Sequence, residues 1–162
     1  MMFNFRKLIL TTGFLFLSQS ALANDECADL ISNKQYYKAL DVCKKMAKKG
    51  EPASQFNLGT LYYQGLGVMA DNKIAYKWIN KSAQNNFAKA QYNIGIMIAN
   101  GIGSEADLGT AYGWLILAKN NDYQEASIAI EQMKDELSKK EKQQANKFVA
   151  EFMQKSQLPE DN

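Results

Sequence analysis

Between residues 52 and 120 the apolar side chains return at steps of three and four. Phe56, Leu58 and Tyr62 form one such set, and Tyr92, Ile94 and Ile98 another. That spacing lines up one face of a helix, and it predicts helices over 52–64 and 88–100. Pro52 suits a first helical turn, where its missing N–H costs nothing. Two further helices are expected over 71–84 and 107–119. Asp71 and Asp107 stand where their carboxylates can accept the free amide hydrogens of a first turn. No segment sustains the period-two alternation of a strand, so the pattern predicts an all-α chain.

The pattern also repeats. Set against itself at an offset of 36, the segment 55–87 matches 91–123 at 11 of 33 positions without a gap. A fixed period of this length marks stacked structural repeats. Gly65 and Gly67, then Gly101 and Gly103, follow the first helix of each copy, where glycine can end a helix in a left-handed conformation. Gly59 and Gly95 fall inside the first helix, at a cost of about 1 kcal/mol relative to alanine. Their recurrence predicts a neighbouring helix too close for a side chain, with Ala75 and Ala111 as the small partners. Trp78 and Trp114 are expected to fill the space between helices. A phosphate-binding reading of Gly65-x-Gly67 lacks a preceding strand, a third glycine and a lysine.

Leu58-Gly59, Tyr62, Gly65, Gly67-Val68, Asp71, Ala75, Trp78 and Ala83 together resemble the Sel-1-like repeat, a relative of the tetratricopeptide repeat. The second copy keeps Ala90, Gly95, Gly101, Gly103, Asp107, Ala111 and Trp114. Ser54 stands where the pattern has alanine, and Ile98, Ser104 and Lys119 also depart from it. The resemblance implies a right-handed α-α superhelix of helical hairpins, a solenoid. The 36-residue offset then extends outward. A degenerate hairpin is expected over 24–50, full repeats over 51–87 and 88–123, capping helices over 124–156 and a tail over 157–162. Within the flanks, helices are expected over 26–32, 36–49 and 124–136. Ser138-Lys139-Lys140-Glu141 reads as a capping box opening a last helix to about 154. Stacked repeats need such caps to cover their end surfaces.

Composition narrows the setting. Arg6 and Lys7, an apolar stretch over 8–17 and Ala21-Leu22-Ala23 have the form of a signal peptide over 1–23. The alternative, an uncleaved anchor, needs about 20 apolar residues to span a bilayer. Cleavage removes two basic residues and leaves 17 Lys+Arg against 17 Asp+Glu. That balance gives no long-range pull on nucleic acid or anionic lipid. The run Lys44-Lys45, Lys48-Lys49 reads as a solvated helix end, with an acidic partner as the lesser alternative. The chain is thus expected to be periplasmic or secreted, without a membrane or nucleic-acid partner. Cys27 and Cys43 lie seven and nine residues to either side of Lys34, facing each other across the turn of the first hairpin. Two cysteines in an exported chain usually pair, and a disulfide is expected here rather than two buried thiols.

Catalytic chemistry finds little to work with. There is no histidine, which removes the commonest general base and most zinc sites. No Ser-x-x-Lys offers an activated serine. Carboxylate pairs such as Asp135-Glu136, or Glu125 with Glu131, fall on helix faces without apolar surroundings to raise a pKa. No cofactor and no metal is expected, and the chain is read as a non-enzyme. The resemblance implies an adaptor or scaffold that holds a protein or peptide in a concave groove. An immunity protein that inhibits a secreted toxic effector is the alternative. A peptidoglycan- or β-lactam-acting enzyme ranks third. In tetratricopeptide-like stacks the first helices line the concave side. The expected groove row is therefore Phe56, Thr60, Tyr63 and Gln64, and 36 residues on Tyr92, Ile96, Ala99 and Asn100. Phe56 and Tyr92 could equally be core residues between repeats.

Overall fold

The computed structural model describes residues 26–157. The expected signal segment and nearly all of the expected tail lie outside them. Eight helices follow one another: α1 (Glu26–Ser32), α2 (Tyr36–Lys48), α3 (Pro52–Gln64), α4 (Asn72–Gln84), α5 (Ala88–Ala99), α6 (Leu108–Asn120), α7 (Gln124–Met133) and α8 (Lys139–Gln157). Each packs on the next from α1 to α7, so the described residues form an all-helical solenoid. Asp71 caps α4 by accepting the amide hydrogens of Lys73 and Ile74, both at 2.9 Å. Asp107 caps α6 through Thr110 N–H at 3.0 Å.

The mid-helix glycines let helices touch. A Cβ on Gly59 would lie 2.5 Å from Ile79 Cγ1 and 3.0 Å from the Ala75 carbonyl; on Gly95 it would lie 3.0 Å from the Ala111 carbonyl. The expected partners, Ala75 and Ala111, are fully buried. The loop glycines serve a second purpose that the 36-residue pattern did not disclose. Gly67, at φ +71°, rests on the backbone of Tyr36, and Gly103, at φ +78°, rests on Asn72 and Tyr76. Tyr36 and Asn72 are themselves 36 residues apart. Each loop thereby sits on the start of the preceding repeat's second helix, a contact that tolerates neither a Cβ nor a negative φ.

A buried amide ladder fixes the register between repeats. Gln55 donates to the Ala47 carbonyl at 3.1 Å and accepts from Asn85 at 2.8 Å. One repeat on, Gln91 donates to the Ala83 carbonyl at 3.3 Å and accepts from Asn121 at 2.7 Å. Both glutamines are fully buried, where an unpaired amide would be costly. Gln, Asn and their spacing are among the 11 repeated positions, and this is their physical reason.

The ends differ from the middle. Cys27 and Cys43 are joined, with Cα atoms 4.9 Å apart, and both are buried among Ala39, Ala47, Leu58 and Leu61. At the other end α7 stops at Met133, three residues short of its expected limit. The capping box forms as expected: Ser138 N–H and Oγ donate to the Glu141 carboxylate at 2.8 and 2.6 Å. However, α8 lies along α6 rather than closing a hairpin with α7. Gly109 and Gly113 make room for it, since a Cβ on either would fall 2.7 Å from Gln144 or Phe148. One repeat earlier the same positions are Lys73 and Lys77, both exposed. The tryptophans consequently diverge. Trp114 is buried with its ring edge-on to Phe148 and Phe152 at 5.1 and 5.2 Å. Trp78 is half-buried against the disulfide-linked cluster, with Lys81 Nζ 5.6 Å from its ring centre.

Candidate functional site

The walls of α3 and α5 enclose a cleft of about 330 Å³. From α3 it takes Phe56, Thr60, Tyr63 and Gln64, and from α5 Lys89, Asn93, Ile96 and Met97. Ile79 of α4 and Ile102 of the α5–α6 loop complete the lining. Each wall follows the same spacing, i, i+4, i+7 and i+8, which is one side of a helix. The floor is apolar and the rim is amide, hydroxyl and one ammonium group, the composition of a recognition surface.

Five residues of the expected row line this cleft: Phe56, Thr60, Tyr63, Gln64 and Ile96. Among the aromatics of that row Tyr63 is the most open, at 46% exposure, whereas Phe56 is a core residue at 7%. Phe56 packs against Phe87, ring centres 5.7 Å apart. Tyr92 lies one repeat along and pairs with Tyr123 at 5.2 Å, outside the cleft. Asn100 and Ala99 also fall outside it; the Asn100 amide donates back to the Ile96 carbonyl at 2.8 Å. Lys89, Asn93 and Met97 were not in the expected row. The offset between the two walls is 33 residues, not 36, because facing sides of neighbouring helices are not equivalent sides. Counting i, i+4, i+7 and i+8 from Lys89 would have found them.

The local electrostatics are simple. Lys89 Nζ sits 5.2 Å from the Phe56 ring centre, a cation over an aromatic face. No Asp or Glu lines the cleft. The Thr60 hydroxyl is held by the Phe56 carbonyl at 3.0 Å and the Asn93 amide hydrogen by the Lys89 carbonyl at 2.7 Å. One repeat on from Lys89 stands Glu125. Burial first, then the Glu125 charge and Tyr92, push the Tyr123 hydroxyl above its ordinary pKa. Glu125 thus stands in register with Lys89, two residues after Tyr123 as Lys89 is two residues after Phe87.

A second hollow lies at the start of α6 and α8, lined by Asp107, Ser138, Lys140, Glu141 and Gln144 among others. Four of these side chains are engaged with one another, Ser138 with Glu141 and Gln144 with Asp107, the Gln144 amide donating to both Asp107 carboxylate oxygens at 2.9 and 2.8 Å. Among the described residues, no three of His, Cys, Asp and Glu converge as metal ligands, and no helix is long and apolar enough to cross a membrane.

Comparison with known proteins places this geometry. The Sel1 repeat family model matches residues 52–87 and 88–123. A putative sel1-like repeat-containing protein, L18, of Acanthamoeba polyphaga mimivirus is 44% identical over 43 residues, covering 26% of this chain and 7% of its own length. Among solved structures, c5321, a protective antigen of uropathogenic Escherichia coli with an SLR fold, superposes with a TM-score of 0.76 at 26% identity. The match covers 90% of this chain and 34% of that one. A Sel1 repeat protein from Oxalobacter formigenes gives a TM-score of 0.65 at 29% identity, covering 78% of this chain and 53% of its own. This chain thus spans a small part to about half of the proteins it matches. With the two matched repeats, the glycine and tryptophan positions that carry them, and the shared solenoid, the chain carries two Sel1 repeats over 52–123 within a Sel1-like helical solenoid.

Proposed function

We propose that the protein is an exported interaction module that holds a protein or peptide segment in the cleft between α3 and α5. The observation that carries this reading is the cleft itself. It is a concavity with an apolar floor of Phe56, Ile79, Ile96 and Met97 and an exposed tyrosine, Tyr63, on its rim. Tyrosine on a rigid frame offers contact area at little entropic cost. The Sel1 repeat fold is in general a protein-interaction module, and the amide ladder holds the two walls in fixed register. The Cys27–Cys43 disulfide supports export. A scaffold role fits these features without any catalytic group. An immunity protein against a secreted effector would use the same cleft.

The test is a pair of variants measured for binding and folding together. Tyr63→Ala with Ile96→Asp should abolish recovery of the bound partner from periplasm while helical content stays unchanged. Retained capture by the folded double variant would place the binding surface elsewhere.

A further inference from the structure

The cleft is electrically one-sided. Lys89 is the single charged side chain in its lining, it is exposed, and no carboxylate among the described residues forms an ion pair with it. Its ammonium is held at the rim over Phe56, 5.2 Å from the ring centre. Such a group near an apolar, partly dried surface attracts an anion more strongly than one on an open helix face. The next position in register is reversed in sign. Ala53, Lys89 and Glu125 occupy equivalent places in successive first helices. Lys89 follows by two residues Phe87, whose ring packs on Phe56, and Glu125 follows by two residues Tyr123, whose ring packs on Tyr92. The repeat register thus runs from a cation beside the cleft to an anion one repeat further on.

Resting on the cleft being the binding site, we propose that its ligand is an acidic peptide segment. A bulky apolar side chain enters the pocket between Phe56, Ile79, Ile96 and Met97. A neighbouring Asp or Glu carboxylate meets Lys89. Glu125 sets the direction of the chain, because an acidic residue at that end would be repelled while a Lys or Arg would be drawn in. The apolar pocket supplies most of the affinity, and the two charges supply orientation and exclude wrong partners.

The experiment uses the purified, disulfide-intact protein and a phage library of random twelve-residue peptides. The expected pool carries Asp or Glu within four positions of a Leu, Ile, Met or Phe. Synthetic peptides from that pool should lose about tenfold or more in affinity on Lys89→Gln, the scale of about 1.4 kcal/mol. Lys89→Arg should restore binding, and Lys73→Gln, outside the cleft, should change nothing. Glu125→Gln should erase any preference for Lys or Arg at the far end of the peptide. Selected peptides that share an apolar anchor but no acid, and bind Lys89→Gln as well as the wild type, would overturn the acidic-ligand proposal and leave the cleft reading intact. Peptides indifferent to both Tyr63→Ala and Lys89→Gln would overturn the cleft reading as well. A pool with no enrichment over an unrelated helical protein would do the same.

Discussion

The two ends of the solenoid solve one problem by different physics. At the amino end a short helix of seven residues, α1, is tied to α2 by a disulfide. At the carboxyl end a helix of nineteen residues, α8, is laid over α6 and buries Trp114 with Phe148 and Phe152. A helix as short as α1 buries little apolar surface, so a covalent tie replaces area. A helix as long as α8 buries enough to need none, provided α6 yields space at Gly109 and Gly113. The comparison separates two kinds of stability in one chain. The first depends on the redox state of the compartment; the second does not.

The largest effect should come from breaking the packed end. Trp114→Ala removes the ring between α6 and α8 and is expected to cost about 3–5 kcal/mol. Chemical denaturation followed by circular dichroism measures it. Gly113→Leu should approach the same loss, because Phe148 already occupies the space a side chain would need.

Breaking the tied end should cost less and act locally. Removal of the disulfide frees a loop of 15 intervening residues, worth about 3 kcal/mol on the chain-entropy model. Trp78 packs against the cysteine cluster and Trp114 does not. In a Trp114→Phe background, reduction should shift the fluorescence transition of Trp78. In a Trp78→Phe background, the transition of Trp114 should move much less. Equal shifts would mean that the ends are not independent.

A smaller effect should have the opposite sign. Ser54 is fully buried and its hydroxyl has no hydrogen-bond partner. The equivalent residue one repeat on is Ala90, also fully buried. Ser54→Ala should therefore stabilise by about 1 kcal/mol, the order of an unsatisfied buried group, read as a raised denaturation midpoint. A lowered midpoint would show that the hydroxyl has a role.

The smallest effect is a pH dependence confined to the packed end. Burial raises the Asp107 carboxyl, but hydrogen bonds from Thr110, Gln144 and the Gly109 backbone outweigh it and hold the pKa below its ordinary value. A depressed carboxylate stabilises the fold above its unfolded pKa, and the contribution is lost as pH falls through the folded one. Gln144→Leu should flatten the loss of stability below about pH 4. An unchanged acid profile in that variant would remove the Gln144–Asp107 contact from the account.

Much of this architecture could be read from residues whose reasons are local. Helix spacing, the Asp71 and Asp107 caps and the Ser138–Glu141 box depend on neighbours in sequence, and they formed where the sequence placed them. The close approaches at Gly59 and Gly95 were legible because the repeat showed each twice. The docking of α8 on α6 was less so, since its signal is a difference between repeats: glycines at 109 and 113 where lysines stand at 73 and 77. The cleft was half legible. The 36-residue register follows equivalent positions, whereas a cleft is formed by facing ones, so Lys89 and Asn93 escaped while Tyr92 and Asn100 were included. Tyr92 has its own partner in Tyr123, and the Asn100 side chain folds back on its own helix.

The account's central claim is that ligand enters between α3 and α5. Site-specific photo-crosslinking in cells, with a benzophenone side chain placed at Gln64 or at Tyr37, tests it most directly. Gln64 is on the cleft rim, and Tyr37 is an exposed aromatic at the start of α2, outside the cleft. The account expects a discrete protein adduct from position 64 and none from position 37. An adduct from position 37 with none from position 64 would contradict it.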